Sequence, residues 1–229
     1  MPLTNLIEEL AAAARDLSAE DVEQTLEKSV ALTVDLIDGC DAAGVSLVRR
    51  GHSIETPAST DRKVLRGDQL QYELQEGPCM DAVWNQDIVV STDLSEDDRW
   101  PRWAPRVVDE IGARSMMCIQ LFTDARTLGA MNMYSWRPGA FDLEGDRDEG
   151  LALGAHVAVA LASAQQIEGL TTALVSRTVI GQAEGILMER FDIDADRAFQ
   201  VLKRVSSHCN TKLQRVAAEL VRTRRLPSP

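Results

Sequence analysis

The 229-residue chain is predicted to fold as an α+β domain followed by an all-α module. Short β-type runs alternate with amphipathic helical stretches in the first part of the chain. Beyond it no proline occurs between Pro138 and Pro227, and helical periodicity takes over. The charge also changes, because residues 1–169 hold 14 Lys and Arg against 30 Asp and Glu, whereas residues 170–229 hold ten against six. The predicted domains are residues 1–165 and residues 166–229, the latter with a core at about residues 170–224.

The N-terminal domain is predicted to contain a mainly antiparallel sheet flanked by helices. Two helices come first, at residues 6–17 and from Ser18 to Ile37, and acidic residues follow Ser18 as they do at many helix starts. The last two β-type runs are separated only by residues 124–126, which predicts a hairpin. The five β-type runs are residues 43–48, 52–58, 87–92, 115–123 and 127–136. Helices are expected between them at residues 62–77, from Pro78 onward and within residues 95–112.

One helical register then runs from Asp142, a residue type that often caps helices, to Arg190 without a strong stop signal. If it is continuous, this helix spans about 70 Å. A helix of that length is expected to leave the first domain and enter the second, with another helix covering its apolar side. We therefore expect a homodimer formed through this helix. The alternative is a pair of shorter helices that meet near Gly169.

Two amphipathic helices follow. Asp194 is expected to cap the first, at residues 195–208, and Asn210 the second, at residues 211–225. The outward face of the second helix carries charges three or four residues apart, which predicts a basic stripe. The stripe consists of Lys212, Arg215, Glu219 and Arg222.

The basic charge is concentrated in a short part of the chain. Residues 197–225 hold eight Lys and Arg against a single acidic residue, an electrostatic pattern typical of proteins that bind polyanions. A solvated helix face is the alternative interpretation of the stripe.

The composition indicates a folded cytoplasmic protein. The first 17 positions already contain Glu8, Glu9 and Asp16, so we expect no signal sequence, and no stretch reaches the apolar length that spans a bilayer. The four cysteines lie far apart, without a CxxC pair or a histidine cluster nearby. We therefore expect free thiols, no metal site and no cofactor.

Residues 173–190, ALVSRTVIGQAEGILMER, and residues 198–221, AFQVLKRVSSHCNTKLQRVAAELV, closely resemble the ANTAR domain. ANTAR is a three-helix RNA-binding module of transcription antitermination regulators, so the resemblance implies binding to paired RNA hairpins in a transcript leader. The family often has lysine where this chain has Glu184, which puts a phosphate contact at that position in doubt. The residues expected to contact RNA are Arg177, Lys203, Arg204, His208, Asn210, Lys212, Arg215 and Arg222.

The N-terminal part resembles a GAF domain of the bacterial signalling type, over about residues 25–165. The matching segments include LQYELQEGPCMDAV, RSMMCIQLF and TLGAMNMYSWRPGAFD. This resemblance implies a sensor that controls RNA binding in response to a small-molecule or protein signal. The protein is accordingly expected to be a regulator and not an enzyme.

Alternation along the two hairpin strands separates a polar face from an apolar face. The apolar face carries Met117, Ile119, Leu121, Met131 and Met133. The polar face is the better candidate to meet a ligand. We add Cys79, which follows a Gly-Pro turn at a helix start, where the helix dipole lowers the pKa of a thiol. For Cys79 itself, the interpretation that we favour over a reactive thiol is a small buried residue. The predicted pocket residues are Cys79, Met116, Cys118, Gln120, Asn132 and Tyr134.

Three other functions stay open at this point. A DNA-binding three-helix module would also be basic. Some GAF domains reduce free methionine sulfoxide, and Cys79 and Cys118 would be the residues involved. A protein-interaction adaptor would need neither RNA nor a catalytic thiol.

The resemblance leaves one local question, which concerns Gly181 and Gly185. Each glycine inside a helix costs about 1 kcal/mol relative to alanine. Their spacing leaves a patch without side chains, against which another helix can pack closely. We expect the other helices of the same bundle to cover this patch, with Phe199 over it, so that Gly185→Leu would unfold the module.

Overall fold

The computed structural model describes residues 11, 12, 15, 17, 21–84, 87–124, 126–141 and 144–227. The predicted helix at residues 6–17 falls largely outside the described residues, and the proposed caps Ser18 and Asp142 fall outside them altogether. Within-chain contacts divide the protein into two units, Met1–Gln165 and Gln166–Pro229.

The N-terminal unit combines a sheet with helices, as predicted. Asp61 and Asp21 cap two of the helices, accepting hydrogen bonds from the backbone amides of Lys63 and Gln24. The elements are α1 (Val22–Leu36), β1 (Ala42–Val48), β2 (Ile54–Ser59), α2 (Arg62–Leu74), α3 (Pro78–Trp84), β3 (Ile88–Ser91), α4 (Ala104–Ile111), β4 (Ser115–Thr123) and β5 (Arg126–Ser135). The first part of helix α5 also belongs to this unit, and the whole helix covers Glu144–Phe191.

The five strands form one antiparallel sheet in the order β2-β1-β5-β4-β3. Strands β4 and β5 form the predicted hairpin, in which Cys118 pairs with Asn132 and Met116 with Tyr134. Strand β1 pairs with β5 and not only with its chain neighbour, which closes the middle of the sheet. The predicted α+β class is therefore confirmed.

The two faces of the sheet are covered by different helices. On one face, Met117, Ile119 and Met133 pack in a core that includes residues of α1 and the first part of α5. On the other face, Cys118 and Tyr134 belong to a core that includes residues of α2, α3 and α4. The alternation predicted for the hairpin strands is therefore confirmed.

Helix α5 has 48 residues and is continuous past Gly169, so the predicted long helix is confirmed. Among the described residues, the segment Asp146–Phe191 of this helix is long and apolar enough to cross a membrane, judged by length and composition alone. Its mean hydropathy is 1.3. Leu153, Val157 and Leu161 of this helix are buried in the core of the N-terminal unit. Packing inside a folded domain thus accounts for much of the apolar character of its first part.

The C-terminal unit contains the rest of α5, α6 (Ala195–His208) and α7 (Leu213–Thr223). Asp194 caps α6, accepting a 2.8 Å hydrogen bond from the backbone amide of Arg197, as predicted. The buried core of this bundle consists of Ala183, Leu187, Ala198, Leu202, Val216, Ala217 and Leu220.

The prediction that Asn210 caps the last helix is wrong. Helix α7 begins at Leu213, and Lys212 stands at its N-cap position without a side-chain cap bond. Asn210 has a φ of +46° and lies in the turn after α6. Asparagine tolerates this left-handed conformation better than most residues, so it serves the turn and not the helix.

The prediction that Gly181 and Gly185 form the packing centre of the bundle is also wrong. A Cβ atom built at either glycine would have nothing outside the local helix within 4 Å, so Phe199 does not cover them. The bundle instead buries Ala183 and Leu187, which lie on the opposite side of α5 from the glycines at 3.6 residues per turn.

Candidate nucleic-acid interface and sensor interior

The basic stripe on α7 is exposed to solvent. Val216, Ala217 and Leu220 face the bundle core, which turns the stripe outward. Within the part of the chain that the structure describes, Lys212, Arg215 and Arg222 form no ion pair. Their charges are therefore free to neutralise phosphates. Glu219 is exposed within the same stripe.

Helix α6 and the following turn carry most of the other predicted RNA contacts. Arg204 and His208 are exposed and lie one turn apart on α6. Asn210 is exposed in the turn, close in the chain to both His208 and Lys212. Lys203 lies on a different side of α6, with its Nζ atom 6.0 Å from the centroid of the Phe199 ring.

Arg177 is exposed on α5, and no described contact links it to α6 or α7. The structure therefore does not bring it together with the other predicted contacts. Glu184 is partly exposed on the same helix.

Sequence reasoning missed a groove of about 560 Å³ in the C-terminal unit. Arg190 of α5 donates a 2.9 Å hydrogen bond from its Nη1 atom to the backbone carbonyl of Arg224, which joins the ends of α5 and α7. The sequence signal for this contact was Arg190 itself, because a basic residue in the last turn of a helix often donates hydrogen bonds to backbone carbonyls nearby. Gln182, Gly185, Ile186, Glu189 and Val221 line the groove together with these two arginines.

In the N-terminal unit, a carboxylate is buried on the face of the sheet that α2, α3 and α4 cover. Asp68 accepts a 2.7 Å hydrogen bond from the Tyr134 hydroxyl at Oδ1 and a 2.8 Å bond from the Thr56 hydroxyl at Oδ2. Gln71 Nε2 lies 3.4 Å from the same Oδ1 atom. We call these residues and their hydrogen-bonded neighbours the buried polar cluster, which consists of Ser46, Thr56, Asp68, Gln71, Tyr72, Asn132 and Tyr134.

The rest of the cluster extends from the hydroxyl of Tyr72. This oxygen lies 2.6 Å from Ser46 Oγ and 2.7 Å from Thr56 Oγ1. Asn132 Nδ2 donates a 2.8 Å hydrogen bond to Ser46 Oγ. Asn132 Oδ1 is buried without a hydrogen-bond partner in the described chain.

Burial controls the ionisation of this interior. Burial raises the pKa of Asp68 from 3.8 to about 6, although hydrogen bonds from Tyr134 and Thr56 act in the opposite direction. Burial, with a further contribution from the charge of Asp68, raises the pKa of Cys79 to about 12. Burial also raises the pKa of Cys118 well above its ordinary value. The favoured interpretation of Cys79 as a small buried residue is therefore confirmed, and burial beside a carboxylate outweighs any effect of the helix dipole on its pKa.

Five of the six predicted pocket residues are buried on this face of the sheet: Cys79, Met116, Cys118, Asn132 and Tyr134. Gln120 is only half-buried, and its Nε2 atom donates a 2.9 Å hydrogen bond to the carbonyl of Val83 in α3. Gln120 therefore holds α3 against β4, the strand on which it lies.

The contribution of α2 was missed in the sequence. Asp68, Gln71 and Tyr72 are spaced as neighbours on one face of that helix, and Val64 lies one turn before Asp68 on the same face. A carboxylate in line with Val64 and Tyr72 on one helix face was the signal that could have found them.

Together these features define a class of protein: an α+β domain with a polar interior, joined by a long helix to a basic three-helix module. Comparison with protein families identifies both parts. A GAF domain model matches residues 19–162, and an ANTAR domain model matches residues 168–221. The chain therefore belongs to the GAF family and carries an ANTAR domain after the GAF domain. A search of curated proteins gave no significant match.

Solved structures with the same N-terminal fold come from several kinds of protein. The GAF domain of a Coxiella burnetii phosphoenolpyruvate-protein phosphotransferase is 15% identical, with a TM-score of 0.58 over 74% of this chain and 99% of that chain. The corresponding Acinetobacter domain is 14% identical, with a TM-score of 0.55 over 72% and 97%. A free methionine-R-sulfoxide reductase from Neisseria meningitidis, in complex with its substrate, is 17% identical, with a TM-score of 0.55 over 71% and 91%. At these identities the likeness establishes the fold alone.

Proposed function

We propose that this GAF–ANTAR regulator binds paired RNA hairpins through its C-terminal unit and prevents transcription termination when its GAF domain receives a signal. The observation that carries this proposal is the unpaired basic stripe of α7, which occurs in a chain whose net charge is −12. In an acidic protein, a surface whose Lys212, Arg215 and Arg222 stay out of ion pairs favours a polyanionic partner, although Glu219 lies in the same stripe. The ANTAR match favours RNA as that partner.

The charges of α7 would supply affinity, and the residues beside it would supply selectivity. Lys212 and Arg215 neutralise phosphates, so the affinity falls steeply with salt. An RNA stem presents a deep and narrow major groove, whereas loop bases are accessible to side chains such as Arg204, His208 and Asn210.

The test is binding of a labelled two-hairpin RNA to the full chain, followed by fluorescence anisotropy over a range of salt concentrations. The double variant Lys212→Ala with Arg215→Ala is expected to weaken binding at least tenfold and to reduce the slope of log K against log salt by about 1 to 2. The matched control is Arg49→Ala with Arg50→Ala, which removes the same charge from exposed positions of the GAF domain. Equal losses in both double variants would contradict a specific interface, and preferential binding of duplex DNA would favour the DNA-binding alternative.

Within the GAF domain, the strand alternation supports a route from the interior to α5. Asn132 and Tyr134 belong to the buried polar cluster, whereas Met131 and Met133, their neighbours in β5, face the core that contains α5. A ligand that bonds to the Asn132 carbonyl would shift β5 and change the packing under α5. Helix α5 continues into the ANTAR domain, so this change would reach the RNA-binding module.

The chain is proposed to act as a homodimer formed through α5. Residues 166–175 of this helix are all exposed, and Ile167, Leu170 and Leu174 are 59–68% exposed at a spacing of three and four residues. This spacing is typical of a helix seam that a second helix covers. A dimer would carry two basic surfaces, and simultaneous binding of two linked hairpins would raise the overall affinity.

We also propose that the protein is a cytoplasmic regulator and not an enzyme. The raised pKa values of Cys79 and Cys118 leave both thiols protonated near neutral pH, which disfavours a reductase that needs a thiolate. An assay with free methionine sulfoxide tests this directly. Turnover that is lost in Cys79→Ser would contradict the proposal.

A further inference from the structure

The C-terminal unit contains a groove that none of the expected RNA contacts lines. It lies between residues 182–190 of α5 and residues 221–224 at the end of α7, and its volume is about 560 Å³. We call it the α5–α7 groove. Sites that hold small organic molecules have volumes of about 300–1,000 Å³. All the lining residues belong to one unit, so the groove is a feature of the bundle alone.

The groove combines an apolar floor with polar ends. Ile186 and Val221 line it and pack against the bundle core, so they form an aliphatic floor. Gly185 lines the groove without a side chain, which leaves the helix backbone open to close approach. Gln182 and Glu189 are exposed and seven residues apart, so they lie on almost the same side of α5, about 10 Å apart along its axis. Two side chains that form hydrogen bonds therefore bound the floor.

Two arginines supply positive charge to the groove. Arg190 Nη1 donates a 2.9 Å hydrogen bond to the carbonyl of Arg224, which holds the Arg190 guanidinium at the α7 side. Arg224 is the C-cap of α7, with its backbone amide bonded to the carbonyl of Leu220. Both side chains are exposed, and within the described part of the chain neither forms an ion pair. Each guanidinium has five N–H donors, so the two arginines keep most of their donors for an anion.

We propose that the α5–α7 groove binds one unpaired nucleotide of the RNA loop, with its base on the aliphatic floor and its phosphate at Arg190 and Arg224. This inference rests on the proposed RNA binding and assigns a base-binding site to it. Gln182 can donate and accept hydrogen bonds at a base edge, and Glu189 can accept one from a base amino group. An arginine binds a phosphate with two parallel N–H donors.

Charge and shape favour a single-stranded nucleotide as the occupant. Two arginines and one glutamate leave the lining with a net positive charge, which favours an anion. A base has an apolar face and a polar edge, and these match an aliphatic floor with polar ends. Loop bases can be splayed out into such a groove, whereas bases inside a stem cannot.

The groove is also continuous with the basic stripe of α7. Arg222, a member of the stripe, directly follows Val221 and lies two residues before Arg224 in the chain. An RNA whose phosphates contact the stripe therefore passes the opening of the groove at the end of the same helix.

The first experiment measures the affinity of the full chain for a single labelled hairpin by fluorescence anisotropy. Gln182→Ala removes no charge and should weaken binding by about fivefold or more without changing the salt dependence. The matched control is Gln200→Ala, at an exposed position of α6 outside the groove, which should change the affinity by less than about twofold.

The arginines have a matched pair of their own. Arg224→Gln should weaken hairpin binding by about tenfold or more and lower the slope of log K against log salt by about 1. Arg225→Gln removes the same charge from the next residue, which is exposed and does not line the groove. It should weaken binding by less than about threefold.

A side chain added to the groove tests the site without removing a contact. A Cβ atom at Gly185 would meet nothing within 4 Å outside the local helix, so Gly185→Leu should stay folded. Its leucine would occupy the floor and lower hairpin affinity by about tenfold or more. Gly181→Leu is the matched control, because Gly181 is an equally open helical glycine that does not line the groove. Equal losses in the groove variants and their controls would contradict the site.

Hairpins that lack one loop base at a time identify the bound nucleotide. With the RNA that lacks this base, Gln182→Ala should cause no further loss of affinity. Hairpin binding that depends on Lys212 and Arg215 but shows no such coupling at any loop position would overturn this inference and leave the proposed function intact. A wild-type chain that does not bind hairpins would overturn both. Displacement of the RNA by micromolar free ribonucleoside monophosphates would assign the groove to a free nucleotide and also overturn the inference.

Discussion

Replacing the buried carboxylate of Asp68 by an amide tests the electrostatics of the sensor interior. In Asp68→Asn, the remaining Oδ1 atom can still accept the hydrogen bond from Tyr134. The new Nδ2 group would face Thr56 Oγ1, an oxygen that can accept a hydrogen bond. The variant should therefore fold with the cluster intact, while it loses the ionisable group.

The size and sign of the effect follow from the shifted pKa. Burial raises the pKa of Asp68 from 3.8 to about 6, a shift of about two units, and each unit corresponds to about 1.4 kcal/mol. The folded state thus retains a proton that the unfolded state releases above about pH 4. As the pH rises from about 4 to about 6, the free energy of unfolding of the wild type falls by about 3 kcal/mol through this group, and it then stays level.

The assay is thermal unfolding of the wild type and of Asp68→Asn between pH 4 and pH 7.5, followed by tryptophan fluorescence. All four tryptophans, at positions 84, 100, 103 and 136, lie in the N-terminal unit, so the signal reports on that unit. Relative to the wild type, the variant should gain about 3 kcal/mol between pH 4 and pH 6, or roughly 6–12 °C.

Comparing the two proteins at each pH removes the contribution of other carboxylates. Asp93 and Asp97 have lowered pKa values, with burial opposed by hydrogen bonds from Ser95, Arg114, Arg99 and Ser91, and they affect both proteins equally. Asp109→Asn, at an exposed position of α4, is the control for the substitution itself. A difference between Asp68→Asn and the wild type that stays constant from pH 4 to pH 6 would refute the argument that burial holds a proton on this carboxyl group.

Three further predictions concern the bundle and the thiols. Leu187→Ala should lower the free energy of unfolding of the C-terminal unit by about 2–5 kcal/mol, because Leu187 is fully buried there. In a urea titration, the circular dichroism transition should move while tryptophan fluorescence stays unchanged. Asp194→Ala should cost about 1 kcal/mol in the same titration, because it removes the N-cap of α6, and Gln200→Ala, at an exposed position in the middle of the same helix, should cost less. Iodoacetamide at neutral pH should modify Cys209, which is partly exposed, before Cys79 and Cys118; peptide mass spectrometry that found Cys79 modified first would contradict the buried interior.

The strands could be predicted because their signals are local. Observed and predicted bounds differ by at most two residues, since β-type runs end at turn residues and the hairpin needs only three connecting positions. The pairing of β1 with β5 was not predictable in this way. These strands are about 80 residues apart in the chain, so no local pattern links them.

The candidate sites could be predicted where one strand or one helix presents them. Alternation placed Met116, Cys118, Asn132 and Tyr134 on one face of the sheet because they belong to paired strands. Asp68 escaped because an acidic residue in a helix usually faces water, and only the packing of α2 on the sheet buries it. For Cys79 the favoured interpretation of a small buried residue holds: its helix position favours the thiolate, but burial opposes it and raises the pKa of the thiol.

The glycine pair separates what spacing can establish from what orientation can establish. Two glycines one turn apart indicate that some helix approaches closely, but the spacing is the same whether that helix belongs to the bundle or to another copy. Orientation decides between them, because Ala183 and Leu187 are buried in the bundle core, and helical geometry puts both glycines on the other side. The expected packing of the glycines inside the bundle therefore fails on orientation and not on spacing.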